Sequence, residues 1–292
     1  MQLSCHTLLI CFGMLLVASA CDKPAPSADP RATKKIVILS AAYPLADLAR
    51  RVGGSAVDVQ WLSEGGEHPH TVADTPELRR RVAAAQVVIT AGPGDAYATH
   101  DLSDEDRRVR VIEPYRMPSA ATAGGGDAWA YAYLDPLVAM EVAGAVADRL
   151  SVVDPARSAG FAKNLVAVRA SLTALDAECR SALAARAEKR VLVVRPVYGA
   201  FLKRYGLEQI APVTGPENGL THADFKALAA AARQHGLGTV YVDRYAPAPV
   251  KQQIADRIGL KIRTLDATGT SAGHGNDSYE KVVRWNLREL AE

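Results

Sequence analysis

His68 and His70 flank Pro69 at the end of a glycine-rich loop, SEGGEHPH. Imidazole is a good ligand for zinc, copper, iron and nickel, so this pair can give one or two nitrogens to a metal. The same string also reads as solvated surface. Asp243 and Asp266 each close a short β-branched run, 239–242 and 261–265, and a carboxylate there can cap the following helix or turn. His274, in the loop SAGHGND, lies close enough to the same edge to join them. Arg195 closes a third such run, 191–194. Its guanidinium stays protonated and only donates, so it cannot ligate a cation. A unit charge 4 Å from another costs about 4 kcal/mol at an effective dielectric of 20, and a divalent ion about doubles that. An unanswered Arg195 beside a bare cation therefore removes roughly five to six decades of affinity. Three arrangements resolve the conflict. Asp243 or Asp266 pairs with Arg195, or the side chain points away, or the bound species is an anion or a metal chelate whose acidic groups Arg195 grips.

Other strings imitate known chemistry without its context. Gly269-Thr270-Ser271-Ala272-Gly273 fits GxSxG. A nucleophile elbow, however, needs a strand running into the serine, a helix directly after it, and an acid and a histidine downstream. Loop residues intervene on both sides here, and only His274 follows, immediately adjacent. AGPGD, 91–95, lacks phosphate-loop spacing and reads as a turn. There is no HExxH and no Cys/His zinc-cluster spacing. These readings predict a protein that is not an enzyme. A formal net charge of +2 gives no electrostatic footprint for nucleic acid.

These residues need elements to hold them. The stretch 161–190 has no Gly or Pro, and Phe161, Leu165, Val168, Leu172, Leu175, Cys179 and Leu183 recur at steps of three and four. That spacing predicts one long amphipathic helix, a spine between two α/β halves. On the N-terminal side, strands at 35–40, 57–62, 87–90 and 109–112 alternate with helices at 43–52 and from Thr75 and Pro76 onward. A further helix spans 137–150. On the C-terminal side, strands at 191–194, 239–242 and 261–265 alternate with a helix that Thr221 and Asp224 open in a capping-box pattern, and the chain closes in a helix. The expected fold class is α/β: two lobes of mainly parallel sheet flanked by helices, joined by the spine. In such sheets ligands bind beyond the carboxyl ends of the strands.

The first 20 residues carry an apolar run, Leu8 to Ala20, too short for a bilayer and of secretory-signal length. Val17-Ala18-Ser19-Ala20-Cys21 is similar to a bacterial lipoprotein cleavage site, which makes Cys21 the lipidation candidate, although no Lys or Arg precedes the run. DKPAPSADPRAT then reads as a flexible tether. The expected divisions are signal peptide 1–20, tether 21–34, N-terminal lobe 35–150, connecting spine 151–190 and C-terminal lobe 191–292. With Cys21 lipidated, Cys179 is a small core residue.

The run from Tyr43 through Gly92 resembles the zinc/manganese-type solute-binding lipoproteins of bacterial ABC importers. Their Gly-x-Asp-Pro-His-x-Tyr/Phe-Glu-Pro-x-Pro stretch is matched here at Gly66, Pro69, His70, Thr75 and Pro76, with His68 where Asp is usual. A His-x-Trp-Leu-Asp-Pro element survives as Tyr131-Ala132-Tyr133-Leu134-Asp135-Pro136, and a helix ending RYGL survives at 204–207. The resemblance makes His70 the first metal ligand, puts Tyr131 at the second ligand position and Arg195 at the third, and makes Asp266, in Leu265-Asp266-Ala267-Thr268-Gly269, the last. Asp243 matches a frequent family Glu. Tyr131 binds a metal only as phenolate, which Fe(III) favours over zinc or manganese. His68 and His274 are the spare metal candidates, and Arg195, Asp243 and Tyr198 are ligand-binding candidates. The resemblance implies an extracytoplasmic, lipid-anchored monomer that captures zinc, manganese or iron between its lobes and hands it to an ABC permease. Two alternatives stay open: the same receptor binding an anion or metal chelate through Arg195 and Tyr131, or a metal-free adhesion or regulatory scaffold.

Overall fold

The computed structural model describes residues 34–62, 68–93, 95, 102–121, 131–213, 219–270 and 275–292. The chain divides into Met1–Lys34 and Lys35–Glu292, and every element below belongs to the second unit. The signal peptide, Cys21 and all of the tether but Lys34 lie outside the described residues, as does His274. Among the described residues, no helix is long and apolar enough to cross a membrane.

The N-terminal half alternates strand and helix: β1 (Ile36–Ser40), α1 (Tyr43–Gly53), β2 (Val57–Trp61), α2 (Pro76–Ala84), β3 (Val87–Ile89), α3 (Asp104–Arg110), β4 (Val111–Ile112) and α4 (Pro118–Ala121). Its strands pair in parallel in the order β2-β1-β3-β4. β1 and β3 are the inner strands, and both are buried almost throughout, as the continuous apolar runs IVILS and VVI require. Gly53 ends α1 hard against β2, where a Cβ would fall 2.3 Å from Val57 Cγ1. The strand expected at 109–112 is half helix. Ser103 accepts a hydrogen bond from the Asp106 amide, acids fill the first turn of α3 and arginines its last, so α3 holds Val109 and Arg110 and leaves only Val111–Ile112 for the sheet.

α5 (Pro136–Val153) follows, then the spine α6 (Ser158–Ala184). Six of the seven apolar residues expected on the inner face of α6 are fully buried, and the seventh, Leu165, packs at the edge of the same core. Burial pushes the Cys179 thiol up to about 12, which makes it inert. The spine ends six residues short of the expected 190. Lys189 Nζ donates to the carbonyls of Leu183 and Ala184, Arg190 forks onto Glu188, and β5 (Arg190–Leu192) has begun.

The C-terminal half contains β5, α7 (Gly199–Arg204), β6 (Glu208–Ile210), α8 (His222–His235), β7 (Thr239–Asp243), α9 (Ala248–Ile258), β8 (Lys261–Leu265) and α10 (Tyr279–Ala291). The expected capping box at Thr221 and Asp224 is formed in both directions. β5 pairs with β6 and β7 with β8, all in parallel. The bridge Val193↔Tyr241 joins the pairs, giving the order β6-β5-β7-β8. Numbered within each half, both sheets run second-first-third-fourth. The architecture is the expected one: two parallel sheets flanked by helices, with a long helix between them. One hydrophobic cluster passes through both halves, from Ile38 and Leu45 through Leu172 and Leu175 to Leu265 and Val282.

Candidate metal site at the facing sheet rims

The parallel order puts the carboxyl end of every strand at one rim of its sheet. From the first sheet, the loop after β2 delivers His68 and His70, the latter in a single helical turn, Pro69–Thr71. Tyr131 comes from the segment before α5. Its backbone is held at φ 61°, so it is the one non-glycine among the described residues with positive φ. For an L-residue that conformation costs roughly 1–2 kcal/mol. It persists because Tyr131 N donates to Ala91 O, Tyr131 O accepts from Leu134 N, and the ring is buried against Tyr133. Strain of this kind in a non-glycine concentrates at functional sites. From the second sheet, β5 leads to Arg195, β7 ends at Asp243 and β8 leads to Asp266.

Four of these groups form a chain whose protons can be placed. Arg195 Nη2 lies 2.9 Å from His70 Nε2. Arginine cannot accept, so that nitrogen is the unprotonated one and a neutral His70 carries its proton on Nδ1. His70 Nδ1 then donates to Tyr131 Oη at 3.3 Å, and the phenol donates to His68 Nδ1 at 2.7 Å. His68 is left with its proton on Nε2, which faces Asp243 Oδ2 at 3.7 Å. Burial, Arg195 and His70 together push the His68 imidazole down to about 3, so it is neutral at physiological pH.

Both carboxylates are engaged. Asp243 Oδ1 accepts from Tyr245 N, and Oδ2 from Tyr198 Oη at 3.4 Å. Asp266 is fully buried. Its Oδ1 accepts from the amides of Thr268 and Gly269. Its Oδ2 accepts from Asn276 Nδ2 at 2.6 Å and Tyr245 Oη at 3.2 Å, with Arg244 Nη1 at 4.0 Å. Asn286 brackets its backbone, accepting from Asp266 N and donating to Asp266 O.

Five candidates thus meet directly: His68, His70, Tyr131, Arg195 and Asp243, with Tyr198 attached to Asp243. Asp266 stands one residue away through Tyr245, and its neighbour Ala267 accepts from Tyr133 Oη. Among the described residues, Arg195 makes its contact with His70 and no ion pair with Asp243 or Asp266. Nor, among the described residues, do three His, Cys, Asp or Glu side chains converge as they stand on a point that could hold a metal. The residues that sequence reasoning missed are Arg244, Tyr245, Asn276 and Asn286. Arg244 and Tyr245 follow Asp243 directly, and extending the strand-end argument by two positions would have found them.

The same two-sheet arrangement occurs in known proteins. Residues 38–292 match the family described as the periplasmic component A of the zinc-uptake complex. The chain is 24% identical over 300 residues to the manganese ABC transporter substrate-binding lipoprotein PsaA of Streptococcus pneumoniae, covering 96% of this chain and 94% of that one. It is 23% identical over 277 residues to the iron ABC transporter substrate-binding lipoprotein MtsA of Streptococcus pyogenes, covering 88% of each. In fold it is similar to the periplasmic zinc-binding protein TroA of Treponema pallidum, with a TM-score of 0.76 at 17% identity over 88% of this chain and 98% of that one. With 255 consecutive positions, 38 to 292, inside one family and two parallel sheets presenting their rims to each other, the chain belongs to the zinc-uptake component A family of periplasmic solute-binding proteins.

Proposed function

We propose that this chain is the extracytoplasmic solute receptor of a metal ABC importer. It takes a transition metal of the zinc, manganese and iron class, as an ion or a complex, at the rim where His68, His70, Tyr131, Arg195 and Asp243 meet, and passes it to a permease in the adjacent membrane. The observation that carries this reading is the hydrogen-bonded run from Arg195 through His70 and Tyr131 to His68. It joins side chains from both sheets at the ends where parallel sheets bind ligands. The names of the relatives support the metal class. Asp266 serves the site by fixing the loop beside it, and joins the ligands if Tyr245 and Asn276 release it. The proposal extends to residues outside the description: 1–20 as a cleaved signal, Cys21 as the lipid-bearing residue, 21–34 as the tether, and His274 as a spare ligand. The body works as a monomer, with lobes 35–150 and 191–292 connected through 151–190. Its role is transport and not catalysis.

The test is metal content. Protein isolated from its native compartment should carry about one equivalent of zinc, manganese or iron, and His70→Ala should lose it while remaining folded. Wild-type protein isolated there without metal refutes the reading.

A further inference from the structure

We infer that the cargo is a metal bound together with a small oxyanion, with Arg195 as the clamp for the anion and the gate that keeps a bare cation off His70. The inference rests on the reading above that this rim is the cargo site.

Three observations lead to it. First, the guanidinium and a metal compete for one lone pair. Arg195 Nη2 donates to His70 Nε2, and His70 Nδ1 faces Tyr131. His70 is exposed, so its Nε2 is the nitrogen through which an arriving metal would bind, and Arg195 already occupies it. Second, the guanidinium has donor capacity left. Arg195 Nε is buried and has no hydrogen-bond partner among the described residues, and Arg244 Nη1 is in the same condition. Buried donors of this kind are rare unless a ligand completes them. Third, arginines and carboxylates at this rim are equal in number. The rim carries two arginines, Arg195 and Arg244, and two carboxylates, Asp243 and Asp266; Arg244 Nη1 lies 4.0 Å from Asp266 Oδ2, and its guanidinium stacks on Trp285 at 4.0 Å. A bare divalent ion would leave this group of four with two uncompensated positive charges. A metal accompanied by a dianion leaves it neutral.

The planar fork of arginine matches the two-oxygen edge of a carboxylate, carbonate or phosphate. When such an anion takes the fork, Nη2 leaves His70 Nε2 and that lone pair becomes available to the metal the anion carries. The anion thus opens the site as well as filling it. A free oxyanion and a chelating hydroxycarboxylate share this chemistry, so the experiment separates them.

Full-length wild-type protein, Arg195→Ala and Arg195→Lys are titrated calorimetrically in a non-coordinating buffer. The probes are zinc chloride alone, zinc with bicarbonate, zinc with phosphate, and ferric citrate, with thermal melts confirming that each variant is folded. Wild type should bind at least one anion-bearing form about a hundredfold or more tighter than zinc alone. Whichever anion succeeds identifies the source. Arg195→Ala should bind zinc alone about a hundredfold tighter than wild type and lose the anion preference. Arg195→Lys, which keeps the charge and loses the fork, should still exclude bare zinc while binding the anion form weakly. If wild type binds zinc alone as tightly as any anion-bearing form and Arg195→Ala changes neither, the inference falls and the receptor reading stands. If no folded variant binds any form, both fall.

Discussion

The rims of the two sheets occupy equivalent places in the same strand order, but they use their polar atoms differently. The first sheet offers His68, His70 and Tyr131, whose hydrogen bonds run to one another and to side chains across the gap. The second offers Asp266, whose oxygens serve two amides of its own loop and the side chains beside it, and Asp243, which holds the Tyr245 amide while its Oδ2 also faces His68 across the gap. A side chain bonded to other side chains can exchange partners when a ligand arrives. A carboxylate holding two amides cannot leave without stranding them in a buried site. The two halves therefore divide the work: the first adapts, and the second supplies fixed walls and, through Arg195, charge.

The most forceful way to break this contrast is to remove one anchor from each side. Asp266→Ala should cost about 3–5 kcal/mol in urea denaturation, because the donors of Thr268, Gly269 and Asn276 lose their acceptor. His70→Ala, at an exposed position, should cost under about 1 kcal/mol. Equal losses would erase the distinction. Next comes acid. His68 is held neutral in the folded chain with its pKa near 3, while the unfolded chain takes up a proton below about 6.5. The unfolded state binds more protons in that window, so the stability His68 contributes is complete above about pH 6.5 and declines as pH falls toward 3. Relative to His68→Asn, wild type should lose about 2.7 kcal/mol between pH 7.5 and 4.5 in paired denaturation curves. A constant difference would mean that His68 is solvated. The smallest effect sharpens the picture. Tyr131→Phe, which cuts the link between the two imidazoles, should cost about 1–1.5 kcal/mol, and Tyr198→Phe, with a 3.4 Å contact to Asp243, under about 1 kcal/mol.

Much of this was legible in the sequence, for identifiable reasons. The strand-and-helix alternation, the apolar face of the spine and the Thr221 capping box are local patterns, and all three are present. The errors at 109–112 and 185–190 arose where a side-chain cap overrode apolar or helix-forming composition. Strand β6 was missed because three residues, Glu208–Ile210, leave too short an alternation to recognise. The site was legible as a set of positions but not as a network. Arg195 reaches His70 across 125 positions, and Asp266 is bracketed by Asn286 twenty positions later. Nothing in local spacing reports such pairs. The charge argument foresaw a conflict at Arg195 and left three arrangements open; in the structure Arg195 meets the His70 imidazole, and the carboxylate partner, one of the three, is not formed with Asp243 or Asp266 among the described residues.

The final helix carries one more consequence. α10 follows the last strand of the second sheet and packs on it, and it also packs on α1 and α6. Glu280 pairs with Arg51 at 2.6 Å and accepts from Ser171, and Tyr279 N donates to Asp47 while its ring is wholly buried. Melting of α10 alone would therefore uncover apolar surface in both halves at once.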